Sequence, residues 1–479
     1  MRIAYITPEA VPFSETGSIG DVAGHLPRYL SRRDLEVTVI TPLYKEIDPG
    51  HHGLAHRLDK LEVDVGGQLE TVAVLEGKMA GGQTNALFMD HPGTFHRDQY
   101  YGDFEDNHRR FYLFAAAALQ LIEKYKLDPQ VIHLNSWSSA LFAPLLRQNA
   151  DEKLAQTPLL FSLFSADREQ KISQAQAGEL NLDLSDLGDE PSYISLAAHH
   201  AQTVATLSPR YADKLKASAE FGDNVIGIVG GVNPETWNPA TSRHLRQNYD
   251  TAAVVQRTQN KLALQESLGL PQTDTKPLVG MFGPFDATSG IDLLLDSADD
   301  WATDDLQFIF FGGRSGSNDR LDALVEKHPN ILLRPKLTRA AMCRALAGLD
   351  AVVFPENNAP SSILQLRALR YGAIPLAHAT DALADTLVDF DPISGSGTAL
   401  LFADYNSESV VGAFERLRIH YPTRQRNQLI YNAMVQNYSW EEMALRYEAL
   451  YRELDGAANA DQAEDESDVK AEDDTADDA

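Results

Sequence analysis

The sequence contains one cysteine, Cys343, among 479 residues. A single cysteine excludes an intrachain disulfide and a metal site built from several cysteines, and it fits a reducing compartment. Long apolar runs are missing as well, because no stretch approaches the roughly 18 uninterrupted apolar residues of a membrane span. The first ten residues, MRIAYITPEA, are typical of a short buried strand rather than of a signal peptide. We therefore expect a cytoplasmic protein with no membrane partner.

Positive charge is also scarce. Lys and Arg number 41 against 69 Asp and Glu, which gives a formal net charge of −28. This excess of acid opposes binding to nucleic acid or anionic lipid. The segment Asp455–Ala479 alone contains 11 carboxylates, one lysine and no aromatic residue. Such a composition cannot bury enough apolar surface to fold, so it predicts a disordered tail that keeps the chain in solution or recruits a basic partner.

Short apolar segments alternate with helical patterns from Arg2 onward, and the same alternation begins again at Pro277. This order is typical of parallel sheets with helices on both faces. It predicts an α/β protein with two Rossmann-like, doubly wound domains that face a central cleft, where the strands' carboxyl ends would hold a ligand. The predicted parts are a first domain at 1–238, a second at 239–438, a helix at 439–455 and a disordered acidic tail at 456–479.

Seven segments, in the order of the family, resemble the bacterial glycogen synthases and plant starch synthases. Among them are PEAVPFSETGSIGDVAGHLPRYL from Pro8, YYGDFEDNHRRF from Tyr100, GVNPETWNPAT from Gly231 and QLRALRYGAIP from Gln365. The resemblance reaches from Met1 to about Leu454 and implies a GT-B fold. It also implies glucose transfer from ADP-glucose to the 4-hydroxyl of an α-glucan, without a metal or other cofactor. Such a reaction needs cations and amide donors at the leaving diphosphate.

The loops that hold the donor phosphates in that family have a different charge here. The family's Lys-Thr-Gly-Gly-Leu corresponds to the run from Glu15 to Ile19, which places Ser18 at the second glycine. The Arg and Lys of a second loop correspond to Pro284 and Ser289, and a Thr-Gly-Gly turn corresponds to Thr380-Asp381-Ala382. Three cations are thus replaced by one acid and two neutral residues. The resemblance therefore implies weak binding of a nucleotide diphosphate.

The sugar side differs in the same way. The inner histidine of the family's His-x-His-Asp-Trp-His corresponds to Asn135, and the acid that follows it corresponds to Ser136. In the family's Glu-Pro-Cys-Gly-Leu, the carboxylate corresponds to Ala359 and the cysteine to Ser361. An alanine cannot stabilise positive charge on the sugar. The resemblance therefore implies that no catalytic residue remains and that no metal site replaces it.

Other family positions keep residues that suit a sugar ligand, because aromatic rings stack on sugars and polar side chains bond hydroxyl groups. They are Thr16, Gly17, Asp21, Tyr101, Asp106, Asn107, Trp137 and Tyr371. Structural roles compete for several of them: Asp21 suits a helix cap, and Gly17 suits a strand-to-helix turn. The run Gly312-Gly313-Arg314 after a strand also resembles a phosphate loop.

Taken together, the sequence favours a catalytically inactive glycogen synthase-like protein that binds α-glucan or an enzyme of glycogen metabolism. Two alternatives stay open. One is an active glycosyltransferase that extends an α-1,4-glucan from a nucleotide-glucose through a rearranged site, with Asp167, Asp286 or Asp381 in new roles. The other is a scaffold that recruits a partner through its acidic tail.

Overall fold

The computed structural model describes residues 1–167, 170–218, 220–312, 319–335 and 337–476. The chain divides into two compact units. Unit one comprises Met1–Leu207, Tyr211–Ile228 and Trp440–Ala479, and unit two comprises Ser208–Arg210 and Val229–Ser439.

The change of unit comes after Ile228, ten residues before the position that the sequence predicts. Its cause is local pairing at Val232, whose backbone N–H donates to the Tyr438 carbonyl at 2.7 Å and which bridges to Ser439. These bonds attach the segment after Ile228 to unit two.

Unit one is built on a mostly parallel sheet. Its strands are β1 Arg2–Ile6, β2 Glu36–Pro42, β3 Ala55–Val65, β4 Gln68–Lys78, β5 Asn85–Asp90, β6 Val131–Asn135, β7 Leu159–Ser162, β8 Thr203–Thr206 and β9 Val225–Gly227. Their order in the sheet is β3-β4-β5-β2-β1-β6-β7-β8-β9, in which β4 is antiparallel to β3 and β5. The chain leaves β1 toward β2 on one side and later returns to β6 on the other. The carboxyl ends of β1 and β6 therefore mark a topological switch point, where doubly wound sheets bind ligands.

Helices alternate with the strands of this sheet along the chain, as parallel pairing requires. They are α1 Ser18–Ser31, α2 Pro49–His52, α3 Pro92–Phe95, α4 Asn107–Lys124, α5 Phe142–Arg147, α6 Glu152–Ala155, α7 Gln174–Glu179, α8 Tyr193–His200 and α9 Pro209–Lys216, with short 3₁₀ turns at Trp137–Ser139 and Ser185–Leu187.

Unit two is parallel throughout its described strands. These are β10 Leu278–Phe282, β11 Gln307–Phe311, β12 Ile331–Arg334, β13 Ala351–Phe354, β14 Ile374–His378 and β15 Leu400–Phe402, in the order β12-β11-β10-β13-β14-β15. A 3₁₀ turn at Val254–Gln256 precedes its first helix. The helices are α10 Arg257–Leu268, α11 Ile291–Asp296, α12 Ala298–Trp301, α13 Asp319–Lys327, α14 Arg339–Gly348, α15 Leu364–Tyr371, α16 Asp381–Thr386, α17 Ser407–His420 and α18 Arg424–Met434. The switch point lies between β10 and β13. The α/β prediction is confirmed for both units.

The last helix, α19 Trp440–Ala476, belongs to unit one. Trp440 and Tyr451 are fully buried, and the Tyr451 hydroxyl lies 2.7 Å from His133 Nδ1 on β6. The helix continues to Ala476, where the sequence predicts an end at 455 and a disordered tail from 456. Alanine and glutamate, which are frequent in this stretch, favour helix, and no proline interrupts it. Residues 477–479 lie outside the described residues.

Candidate functional site

A buried carboxylate organises the carboxyl end of β1. Glu9 has no exposed surface, and its Oε1 accepts hydrogen bonds from Thr16 Oγ1 at 2.7 Å and from the Tyr101 hydroxyl at 2.9 Å. Its Oε2 accepts from the Thr16 backbone N–H. Burial raises the pKa of Glu9, and these hydrogen bonds offset part of that rise. The sequence predicts Thr16 and Tyr101 as site residues but misses Glu9, whose signal is an acid within the apolar segment after the first strand.

The start of α1 presents the other predicted residues of this loop. Glu15 and Gly17 are exposed, and Ser18 begins the helix. Gly17 holds the N-cap position in extended backbone, with open space where a Cβ would lie. The prediction that Asp21 caps α1 is therefore wrong. Asp21 lies in the first turn, is 5% exposed and places Oδ1 3.9 Å from His25 Nε2.

The carboxyl end of β6 lies next to this loop. Asn135 is fully buried, and its Oδ1 accepts a hydrogen bond from the Tyr5 hydroxyl at 3.1 Å. Its Nδ2 has no hydrogen-bond partner among the described residues, and the same holds for Ser138 Oγ. Ser136 has φ 68° and ψ 158°, a conformation rare for residues with a side chain, and its N–H donates to the Ser162 carbonyl at 2.9 Å.

Trp137 follows at once and is packed among aromatic rings. Its ring centroid lies 5.8 Å from Tyr101, 4.9 Å from Phe111 and 6.2 Å from Tyr193. The side chain is 8% exposed, and Tyr101, on its neighbouring side, is half-buried. We call Glu9, Thr16, Tyr101, Asn135 and Trp137 the unit-one cluster.

Asp106 and Asn107 tie down the segment that contains Tyr101. Both carboxylate oxygens of Asp106 accept from Arg97, and that ion pair lowers the pKa of Asp106. Asn107 is 1% exposed and donates to the Gly102 carbonyl at 2.7 Å, while its Oδ1 accepts from Arg110 at 3.1 Å. Their polar atoms hold the loop in place, so both residues act as supports of the unit-one cluster.

In unit two, the loop after β10 is a tight turn that contains no basic residue. Ser289 is buried, and its Oγ donates to the Asp286 carbonyl at 2.7 Å. Asp286 Oδ1 in turn accepts from Thr288 N at 3.0 Å. Gly290 has φ 71°, and a Cβ there would lie 2.1 Å from the Pro355 carbonyl oxygen. Only glycine fits at this close approach. Pro284 precedes this turn and contributes no charge or N–H donor.

The loops after β13 and β14 are joined by an acid. Asp381 is 1% exposed, and its Oδ2 accepts a hydrogen bond from the backbone N–H of Ala359 at 2.9 Å. Its φ of 40° is a left-handed conformation that favours glycine. Ala359 is 5% exposed, and Ser361 beside it is half-buried. The positions of Asp381 and Ala359 are thus held together at the carboxyl edge of the sheet.

Tyr371 lies elsewhere. It ends α15, has no exposed surface and packs 6.5 Å from the Trp237 ring. Its carbonyl accepts from the Tyr249 hydroxyl at 2.7 Å. The sequence predicts Tyr371 as a ligand contact, but these contacts make it part of the core of unit two.

A second acid at this edge is not among the predicted residues. Glu356 follows β13, and its Oε2 is buried with no hydrogen-bond partner among the described residues. Burial raises the pKa of Glu356 to about 7. His378 Nδ1 donates to the Glu356 carbonyl at 3.1 Å and thereby fixes the loop. A lone glutamate in the polar run PENNAPSS gave no signal by itself.

The remaining predictions concern metal, membrane and one further loop. Within the described ranges, no group of three or more His, Cys, Asp or Glu side chains could hold a metal ion. Over the same part of the chain, no helix is long and apolar enough to cross a membrane. Gly313 and Arg314, from the predicted phosphate-like loop, lie outside the described residues.

Comparison with known proteins agrees with this architecture. Residues 2–229 match the family model of the starch synthase catalytic domain. The structure is similar to the catalytic domain of starch synthase IV from Arabidopsis thaliana bound to ADP and acarbose, with a TM-score of 0.87, 25% identity and coverage of 95% of this chain and 99% of that one. A sucrose-phosphate synthase from Thermosynechococcus elongatus shares the fold, with a TM-score of 0.63, 18% identity and coverage of 95% and 99%. Two doubly wound units of this kind define the GT-B class of glycosyltransferases.

The curated relatives narrow this class. A glycogen synthase from an Anaeromyxobacter species is 32% identical over 95% of this chain and 99% of its own length. A glycogen synthase from Streptococcus agalactiae is 28% identical over 95% of this chain and 100% of its own. The chain belongs to the glycogen synthase family, and it is a glycogen synthase-like protein of α-glucan metabolism.

Proposed function

We propose that this protein binds an α-glucan through unit one and does not transfer glucose from a nucleotide donor. The observation that carries the proposal is the buried carboxylate of Asp381, held by the Ala359 N–H at 2.9 Å. The resemblance to the family assigns this turn to the donor phosphates. The protein's own buried carboxylate therefore lies in the turn that the resemblance assigns to the donor phosphates.

The charge balance of the loops supports the same proposal. Where the resemblance implies an arginine and a lysine, the chain has Pro284 and Ser289, and Ser289 bonds within its own turn. At an effective dielectric constant near 20, a unit charge about 4 Å from a phosphate changes its energy by about 4 kcal/mol before solvent screening. Each 1.4 kcal/mol corresponds to a factor of about ten in rate, so losing such contacts removes the main source of leaving-group stabilisation.

The unit-one cluster supports the proposed binding of an α-glucan. Tyr101 and Trp137 provide aromatic surface, and the exposed Thr16 provides a polar group at the same strand end, while the buried Glu9 holds Thr16 and Tyr101 in place. The buried Nδ2 of Asn135 lacks an acceptor among the described residues, and a hydroxyl group is a suitable acceptor. Sugars are bound by this combination of aromatic faces and hydrogen-bonding groups.

Two binding experiments on the full chain test the proposal. Native affinity electrophoresis in gels containing glycogen should show retardation, compared with gels without polysaccharide. Calorimetry with ADP, up to millimolar concentration, should show no saturable heat. Tight ADP binding would contradict the loss of donor binding, and equal migration in both gels would contradict glucan binding.

A second candidate, an active glucan synthase with a rearranged site, is favoured by two observations. The relatives that match the whole chain are named glycogen synthases. Glu356 also places a buried carboxylate three residues before Ala359, in the loop where the family's acid lies. If Glu356 acts in transfer, Glu356→Gln abolishes glucose incorporation from ADP-glucose into glycogen. Absence of incorporation by the wild type dismisses the candidate, and incorporation that survives this substitution shows that Glu356 does not act in the transfer.

A further inference from the structure

A buried ion pair lies at the amino ends of β10 and β13, the edge of unit two opposite the loops described above. Asp350 Oδ2 accepts from the Leu278 N–H at 2.8 Å and lies 2.7 Å from Lys261 Nζ. Both charged side chains are buried. Lys261 also donates to the Lys276 carbonyl and to the Tyr421 hydroxyl. Its three N–H groups are therefore occupied, and its charge is neutralised by Asp350.

Two arginines beside this pair, Arg257 and Arg426, have no carboxylate partner among the described residues. Arg257 is 6% exposed and donates one N–H to the Leu349 carbonyl at 2.6 Å. Its Nε is buried and has no hydrogen-bond partner among the described residues. The Arg426 guanidinium lies 4.5 Å from the Tyr421 ring centroid and is half-buried. No described carboxylate forms an ion pair with either arginine. Buried N–H groups without an acceptor are costly, so Arg257 Nε indicates a missing acceptor.

The two arginines line one cavity. Its volume is about 20 Å³, close to the space of a single water-sized group. Thr258, which is half-buried, and Asn427, which is exposed, also line it and add a hydroxyl and an amide. In a chain with a net charge of −28, two guanidinium groups without carboxylate partners at one cavity reverse the local sign of charge.

We propose that this cavity binds the phosphate group of a small molecule. One phosphate oxygen enters the cavity and accepts from Arg257 Nε, and the remaining oxygens face Arg426 at the mouth. A phosphate dianion matches two guanidinium groups in charge, and guanidinium N–H groups match phosphate oxygens in geometry. Since the enclosed space admits about one oxygen, the rest of the ligand stays outside. Inorganic phosphate and phosphate monoesters share this chemistry.

Two acids line the cavity, and while Asp350 is paired with Lys261, the other acid opposes such a ligand and provides a test of the sign of charge. Asp274 also lines the cavity and is exposed, and its backbone carbonyl accepts from the Tyr421 hydroxyl at 2.9 Å. Its carboxylate makes no ion pair with either arginine within the described part of the chain. Removing its charge should therefore strengthen anion binding, whereas removing that of Arg426 should weaken it.

Calorimetry on the full chain at constant ionic strength tests the site, with inorganic phosphate and glycerol 3-phosphate as probes. We expect saturable binding that Arg426→Gln weakens roughly tenfold or more, because a charge-assisted hydrogen bond is lost. Asp274→Asn should tighten binding. Arg320→Gln is the matched control, because Arg320 is an exposed arginine of the same unit that already pairs with Asp296. It should leave the affinity unchanged.

The two probes distinguish the ligand's source. Tighter binding of the ester identifies a phosphate monoester as the ligand class, and binding of inorganic phosphate alone identifies the free ion. Absence of saturable binding by both probes would overturn the proposal. An affinity unchanged in Asp274→Asn would do so too, and this variant decides the matter should Arg426→Gln fail to fold. The outcome is independent of glucan binding, because every residue involved lies in unit two.

Discussion

The carboxylate of Asp381 accepts a hydrogen bond from the backbone N–H of Ala359 at 2.9 Å, across the carboxyl ends of two neighbouring strands. Asp381 does so from a left-handed backbone conformation, φ 40°, that glycine adopts more readily. The loop thus keeps a glycine-like geometry while carrying an acid. Because the carboxylate satisfies this amide internally, the amide is not available to an external anion.

Removing the Asp381 carboxylate should increase the affinity for ADP only in a variant that also carries the basic residues of the family. We expect the combined variant P284R/S289K/D381G, whose three positions all lie in unit two, to bind ADP, measured by calorimetry. The variant with the same two cations but with Asp381 retained should bind at least about tenfold more weakly, since a buried acid would then lie in the phosphate turn. Equal affinity of the two variants would show that Asp381 does not obstruct the turn.

The backbone at Asp381 gives a separate expectation for stability. Asp381→Gly loses one hydrogen bond, worth about 1 kcal/mol, but relieves the left-handed strain of a residue with a side chain. The free energy of unfolding in urea should therefore change by less than about 1.5 kcal/mol. Asp381→Ala, the matched control, loses the bond without relieving the strain and should be less stable than the glycine variant. The reverse order would contradict the role assigned to φ.

Glu356 should make stability depend on pH. Its pKa is raised to about 7 by burial, so the native state favours the protonated acid. This contribution is fully present below the unfolded pKa near 4.5 and is lost as the pH rises through about 7. Glu356→Gln should therefore be more stable than the wild type at pH 8, by up to about 3 kcal/mol, and should approach it at pH 4. Denaturant unfolding at a series of pH values measures this difference, and parallel curves would refute it.

Tyr101 should contribute to glucan binding through its hydroxyl. Tyr101→Phe keeps the ring beside Trp137 but removes the donor to Glu9, so one acceptor site on a buried carboxylate is left unfilled. We expect glycogen affinity in native gels to fall several-fold, with a loss of stability of about 1 kcal/mol. Tyr431→Phe, at an exposed tyrosine of unit two, serves as the control and should migrate like the wild type. Retardation equal to that of the wild type would show that the Tyr101 hydroxyl does not contribute to glucan binding.

We expect the first part of α19, which contains Tyr451, to stabilise the protein, and the part after Ala460 to have no effect on stability. Burial lowers the pKa of His133 to about 3, so the ring is neutral at pH 7 and depends on Tyr451 for a partner at Nδ1. Tyr451→Phe should cost about 1–3 kcal/mol in unfolding free energy. Truncation after Ala460 should leave the thermal midpoint within about 1 °C of the wild type, because the removed stretch is mostly acidic and its apolar residues are alanines and a single valine. A large loss on truncation would indicate that the acidic segment packs against the protein.

Much of the fold could be predicted from the sequence because buried parallel strands are continuous apolar runs. Segments such as Leu278–Phe282 and Ala351–Phe354, which follow the point where the alternation begins again, are buried strands in the structure. The unit boundary and the placement of α19 could not be predicted in this way. They depend on long-range contacts, such as Val232 with Tyr438 and His133 with Tyr451, which leave no local pattern.

The site was predictable only where a motif carried it. Thr16, Tyr101 and Trp137 do lie together at the carboxyl ends of β1 and β6. Glu9 and Glu356 could not be predicted as site residues, because a single acid in a sequence does not reveal its burial. Conversely, a motif residue such as Tyr371 resembles a site residue in sequence but packs in the core.

The most direct measurement follows radiolabelled glucose from ADP-glucose into glycogen, with the purified full chain and an active glycogen synthase assayed in parallel. We predict incorporation indistinguishable from a blank without protein, even though the same preparation is retarded by glycogen in a native gel. Sustained incorporation that scales with the amount of this protein would contradict the proposal that its donor site has lost the ability to stabilise the leaving diphosphate.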